Sequence, residues 1–157
     1  MQARIRLLGQ RLAAQGATLA TAESCTGGLV AARCTDVPGS SAWFVGGVVA
    51  YANEIKRDVL GVDPALLAAH GAVSEAVVRA MAAGVRRLTG ARVTVAVSGV
   101  AGPDGGTPDK PVGTVWLAVA DGENVQATRF LFSGDRAAVR NATVEATVEA
   151  LLALFGG

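Results

Sequence analysis

Residues 113–132, G-T-V-W-L-A-V-A-D-G-E-N-V-Q-A-T-R-F-L-F, decide the fold. Two strand-like runs, Gly113–Ala120 and Asn124–Phe132, flank a short D-G-E connector, and this pattern predicts an antiparallel hairpin. Everything before it alternates helical and strand signals, which predicts parallel strands joined by crossover helices. A parallel set closed by one hairpin makes a mixed sheet. The expected class is therefore α/β, a three-layer α/β/α sandwich around a five-stranded mixed sheet.

The elements upstream follow from periodicity and punctuation. Ile5, Leu8 and Leu12 recur at helical spacing within residues 3–15, and Gly16 stops that helix. A short apolar strand is expected over Ala17–Ala22, and a helix over Thr26–Cys34. Residues 45–51, V-G-G-V-V-A-Y, form a continuous apolar run typical of a strand covered on both faces, in which Gly46 and Gly47 imply close backbone approach. Asn53 is expected to cap a short helix carrying Lys56, and Pro64 to start another that runs to His70. Ser74 then caps a longer helix with Val77, Val78, Met81, Val85 and Leu88 in one stripe, ended by Gly90. Val93–Ser98 reads as a buried strand, and G-V-A-G-P-D-G-G-T-P-D-K-P as the loop after it. Asp135 caps a final helix that turns Val144, Val148, Leu151 and Phe155 inward. With no repeat, linker or low-complexity segment, residues 1–157 are expected to form one domain.

Bulk properties narrow the function. A chain of 157 residues, 51% hydrophobic, can bury a sizeable core without disulfides or metal. Its net charge of +1, with no block of like charge, weighs against a nucleic-acid or membrane partner. Cys25 and Cys34 lack the companions that a bridge framework or a zinc site needs, so no metal and a reduced, cytoplasmic setting are expected. The first residues show no signal-peptide pattern, and no apolar run reaches membrane-spanning length. Of the basic residues twelve are Arg, which makes the two lysines, Lys56 and Lys110, worth separate attention.

Three polar clusters lie just past expected strands: E-S-C-T-G-G, Y-A-N-E-I-K and S-G-V-A-G-P-D-G-G. In open α/β sheets ligands gather outside the carboxyl ends of the strands, so parallel strands would bring the three together. Ser24 is either a nucleophile or the N-cap of the following helix; backbone N–H groups of Cys25, Thr26, Gly27 and Gly28 suit an oxyanion. As its base, His70 is weakened by its helix-terminal position, which favours a capping role. Lys56 is the better base, because an apolar strand precedes it and burial lowers an amine's pKa; the alternative is a solvated surface lysine. Tyr51 at the strand end is a hydrogen-bond donor to the same site or a packing residue. Cys25 is the rival nucleophile, or a small buried hydrophobe. The loop from Ser98 to Thr107, with Gly99 and Gly102, supplies backbone for an anion nest without matching a P-loop. Arg136 and Arg140 are cations able to grip phosphate, or simply solvated.

Taken in order, T-A-E-S-C-T-G-G, S-S-A-W-F-V-G-G-V-V-A-Y-A-N-E-I-K, H-G-A-V-S-E, S-G-V-A-G-P-D-G-G, K-P-V-G-T-V-W and F-S-G-D-R resemble the CinA C-terminal domain family. The resemblance implies a nicotinamide-nucleotide amidohydrolase that converts nicotinamide mononucleotide to nicotinic acid mononucleotide and ammonia, within pyridine nucleotide recycling. It also implies the same α/β/α fold and a Ser–Lys dyad falling on Ser24 and Lys56, with Tyr51 beside them. Ser98 and the glycine-rich loop then form a pocket segment, and Arg140, or its neighbour Arg136, binds ligand. Larger family members carry a further N-terminal domain whose activities are not expected of this chain.

The expected mechanism needs no cofactor: Lys56 takes the Ser24 proton, the oxygen attacks the carboxamide carbon, and Tyr51 helps return a proton to departing ammonia. Glu23 is either a carboxylate that favours the cationic pyridinium ring or a structural hydrogen-bond acceptor. A homo-oligomer is expected, since sites in short α/β domains often lie near dimer contacts. The alternative from another class is a non-catalytic nucleotide-binding module linked to competence or DNA-damage responses.

Overall fold

The computed structural model describes residues 1–156. In chain order the elements are α1 (Gln2–Ala14), β1 (Leu19–Glu23), α2 (Leu29–Thr35), β2 (Phe44–Val49), α3 (Asn53–Asp58), α4 (Pro64–His70), α5 (Glu75–Thr89), β3 (Val93–Gly99), β4 (Thr114–Asp121), β5 (Asn124–Leu131) and α6 (Arg136–Ala153). The strands form one sheet in the order β2-β1-β3-β4-β5. β1 pairs in parallel with both β2 and β3, while β3–β4 and β4–β5 are antiparallel. The hairpin of residues 113–132 thus closes a parallel core into a mixed sheet, as the sequence predicts.

Alternation along the strands sorts two unlike faces. Leu19, Val93, Val95, Val97, Leu117 and Val119 meet α1, α2 and α6 through Leu8, Leu12, Val30, Val144 and Leu151. Ala20, Ala22, Ala96 and Ala118 point the other way, toward Val77, Val78, Met81 and Val85 of α5. The alanine face lets α5 lie close: Thr94 Oγ1 donates to the Ala82 carbonyl of that helix at 3.1 Å. Ser74 and Asp135 cap α5 and α6, each side chain accepting a backbone N–H of the first turn.

Three expectations need correction. The run 45–51 is not covered on both faces: β2 is an edge strand whose Val45 and Val49 are about half exposed (51% and 50%). Its glycine nevertheless has the predicted purpose, since a Cβ on Gly47 would stand 2.1 Å from Thr21 Oγ1 of β1. Asn53 is the first helical residue of α3 rather than its cap, which is Ala52. Leu88, in the last turn of α5, is exposed and does not join Val77, Val78, Met81 and Val85 in the core.

All three parallel strands deliver their carboxyl ends to one rim. The chain leaves β1 for β2 on one side and later enters β3 on the other, so the crevice at the end of β1 is a topological switch point.

Candidate active site

Glu23 ends β1, and its side chain explains why Ser24 is free. Helix α2 does not begin at the serine: a turn over Cys25–Gly28 intervenes, and the N-cap is Gly28, in the left-handed region at φ 100° with no side chain to offer. The orphan N–H groups of Val30 and Ala31 are taken instead by Glu23, at 2.8 and 3.0 Å. Thr26 Oγ1 donates to the same carboxylate at 2.6 Å and Thr21 Oγ1 at 3.5 Å. Glu23 is only 2% exposed and serves as the structural acceptor; the capping alternative for Ser24 is excluded because that task is already filled.

Lys56 projects from α3 into the molecule and is 1% exposed, which excludes the solvated alternative. Its Nζ lies 3.0 Å from Ser24 Oγ and donates to the carbonyls of Ala50 at 2.8 Å and Tyr51 at 3.0 Å. Burial lowers its pKa, only partly opposed by the Cys25 sulfur. The amine thus has three oxygen neighbours, the serine hydroxyl and two main-chain carbonyls, and among the described residues no carboxylate pairs with it. Geometry and desolvation together place an amine of lowered pKa in hydrogen-bond contact with Ser24 Oγ, the arrangement a general base would need.

The serine opens onto a cleft of about 270 Å³ lined by Ser24, Cys25, Tyr51, Gly102, Asp104 and Arg136, among others. Arg136, the first residue of α6, spans the mouth: it donates to the Gly102 carbonyl at 2.8 Å and to the Tyr51 hydroxyl at 3.0 Å. Among the described residues none accepts a hydrogen bond from the N–H groups of Cys25, Thr26 or Gly28. Cys25 is buried, and desolvation pushes its thiol up to about 11, so it is a neutral thiol and a poor nucleophile at neutral pH.

A sequence profile of the CinA C-terminal domain matches residues 2–155. The chain belongs to the CinA C-terminal domain family. It is 56% identical over 147 residues to the nicotinamide-nucleotide amidohydrolase PncC of Pseudomonas putida, covering 94% of this chain and 92% of that protein. It is 52% identical over 91% of its length to a putative competence-damage inducible protein of Desulforudis audaxviator, but spans only 35% of that relative. A crystal structure of a CinA superfamily protein from Klebsiella pneumoniae superposes with a TM-score of 0.95 at 40% identity, covering 98% of this chain and 96% of that one.

Within this CinA C-terminal domain, the structure gathers some of the sequence candidates and separates others. Ser24, Lys56, Tyr51, Gly99 and Gly102 meet at or directly behind the cleft. Thr26, Gly27 and Gly28 form the turn beside it, with the Gly27 N–H already given to the Ser24 carbonyl. Ser98 is buried in β3 behind the lining, and His70 lies exposed at the end of α4, outside it. Arg140 donates to the Thr26 carbonyl at 3.1 Å, on the turn beside the cleft, while Arg136 is the arginine in the lining that Ser24 shares. The two arginines stand one helical turn apart, which is why sequence alone left them open. Asp104 was missed. Its signal was available, as the one ionisable side chain between Gly102 and Gly105.

Proposed function

We propose that this chain hydrolyses the carboxamide of nicotinamide mononucleotide to nicotinic acid mononucleotide and ammonia, with Ser24 as nucleophile and Lys56 as base. The observation that carries it is the buried Lys56 amine held 3.0 Å from Ser24 Oγ by two main-chain carbonyls. The name of the Pseudomonas relative, aligned over nearly its whole length, supplies the substrate class. A binding module without turnover has little use for such a pair, since burying a lysine with no carboxylate partner costs stability.

The neutral amine of Lys56 accepts the Ser24 proton as Oγ bonds to the carboxamide carbon. The resulting oxyanion faces the free N–H groups of the Cys25–Gly28 turn. As the C–N bond breaks, the lysine ammonium returns its proton to the leaving nitrogen, and ammonia departs. Water then attacks the acyl ester, giving up a proton to Lys56, and the serine oxygen leaves as hydroxyl. Tyr51, whose hydroxyl lies in the cleft and accepts from Arg136, relays or steadies that proton transfer. Arg136 takes the phosphate end, having donors beyond the two already engaged. In the cell this activity belongs to pyridine nucleotide recycling, and the protein acts in the cytoplasm.

Ammonia release from nicotinamide mononucleotide by wild type and by Ser24→Ala tests the reading. Release by wild type and none by Ser24→Ala is expected; silence of the pure wild type overturns it.

A further inference from the structure

The substrate proposed above carries two opposite charges, a cationic pyridinium ring and an anionic phosphate. The cleft around Ser24 carries the complementary two. Arg136 and Asp104 are the basic and the acidic side chain in its lining, the first at the start of α6 and the second in the loop after β3. They do not neutralise each other. Arg136 spends its donors on Gly102 and Tyr51, and among the described residues no cation pairs with Asp104. Glu23, the other carboxylate near the serine, is saturated by four donors and lies beneath the turn, so it has nothing to offer a ligand.

We propose that Asp104 is the specificity residue that selects a positively charged ring, through its place in the lining of the cleft that Ser24 opens into. The inference rests on the reaction proposed above. A carboxamide carbon at Ser24 Oγ puts the ring in the cleft, with the ring nitrogen meta to the reacting group and the phosphate beyond it. An unpaired carboxylate in the same lining attracts the cation, and because Asp104 is exposed that attraction is screened by solvent and sensitive to salt. An uncharged aromatic amide gains nothing from Asp104.

The test compares nicotinamide mononucleotide with its 1,4-dihydro form, which keeps carboxamide, ribose and phosphate around an uncharged ring. Dissociation constants are measured by calorimetry in a Ser24→Ala background, so neither compound is consumed. Adding Asp104→Asn is expected to weaken nicotinamide mononucleotide about tenfold and to shrink the cationic-over-neutral preference by the same factor. Asp104→Glu is expected to restore most of the preference, and added salt to erode it in the parent protein. Equal weakening of both compounds, or no change in their ratio, overturns the assignment. A wild type that binds nicotinamide mononucleotide with this preference yet releases no ammonia overturns the reaction and leaves Asp104 as a binding determinant.

Discussion

Two buried ionisable side chains flank Ser24, Glu23 as its chain neighbour and Lys56 through a 3.0 Å contact, and they are treated in opposite ways. Glu23 meets four donors, two of them the open N–H groups of a helix start, so its carboxylate is matched on every side. Lys56 meets only a hydroxyl and two carbonyls, and among the described residues no carboxylate pairs with it. A group whose task is structural is given partners for its charged form. A group that exchanges a proton, as Lys56 does in the reaction proposed here, is held where its charged form is disfavoured.

The contrast breaks most visibly at the reacting atoms. Ser24→Ala is expected to reduce the rate of ammonia release by about 10⁴-fold or more, and Lys56→Met by about 10²–10⁴-fold. Lys56→Met should hold or raise the thermal midpoint, because an apolar side chain of similar length removes a desolvated amine. A fall in stability comparable to the loss of rate would show that Lys56 is structural. Glu23→Gln should do the reverse, costing about 1–3 kcal/mol in denaturant unfolding, because its amide group turns donors toward donors.

The pH dependence sharpens the same comparison. With its folded pKa below the ordinary 10.5, Lys56 is protonated and inactive at low pH, so kcat/KM should rise with pH through that lowered value. The linkage has the matching sign: the buried ammonium burdens the fold below the folded pKa, and the burden disappears as pH passes the unfolded value. The stabilisation gained in Lys56→Met should therefore be largest at low pH and vanish in strong alkali. The smallest effect is expected at Cys25. With its thiol near 11, it should react slowly with iodoacetamide at pH 7, and Cys25→Ala should keep ammonia release within about threefold of wild type.

Much of this was legible in the sequence, for identifiable reasons. Caps at Ser74 and Asp135, the D-G-E connector and the stripe of α5 are local signals, and the elements they mark formed where expected. Whether a strand has one neighbour or two is not local, which is why V-G-G-V-V-A-Y read as central when β2 lies at the edge. Lys56 stood out by scarcity and by its position behind an apolar strand. For Glu23 the sequence left two purposes open, a partner for the cationic ring or a structural acceptor, because the helix start it satisfies is set by the φ of Gly28 and not by the serine beside it. Arg136 and Arg140 share a helix face, and only the reach of each side chain shows that one enters the cleft and the other ties down the Thr26 carbonyl.

The contacts that hold the base have a consequence for inheritance. Lys56 is aimed by the main-chain oxygens of Ala50 and Tyr51, and no codon change can delete a carbonyl. The tight core around Ala50 restricts that position to small residues, but position 51 can vary in side chain without disturbing the aim of the amine. The vulnerable part of the proposed catalytic pair is therefore confined to two codons, while its geometry is copied with the backbone itself.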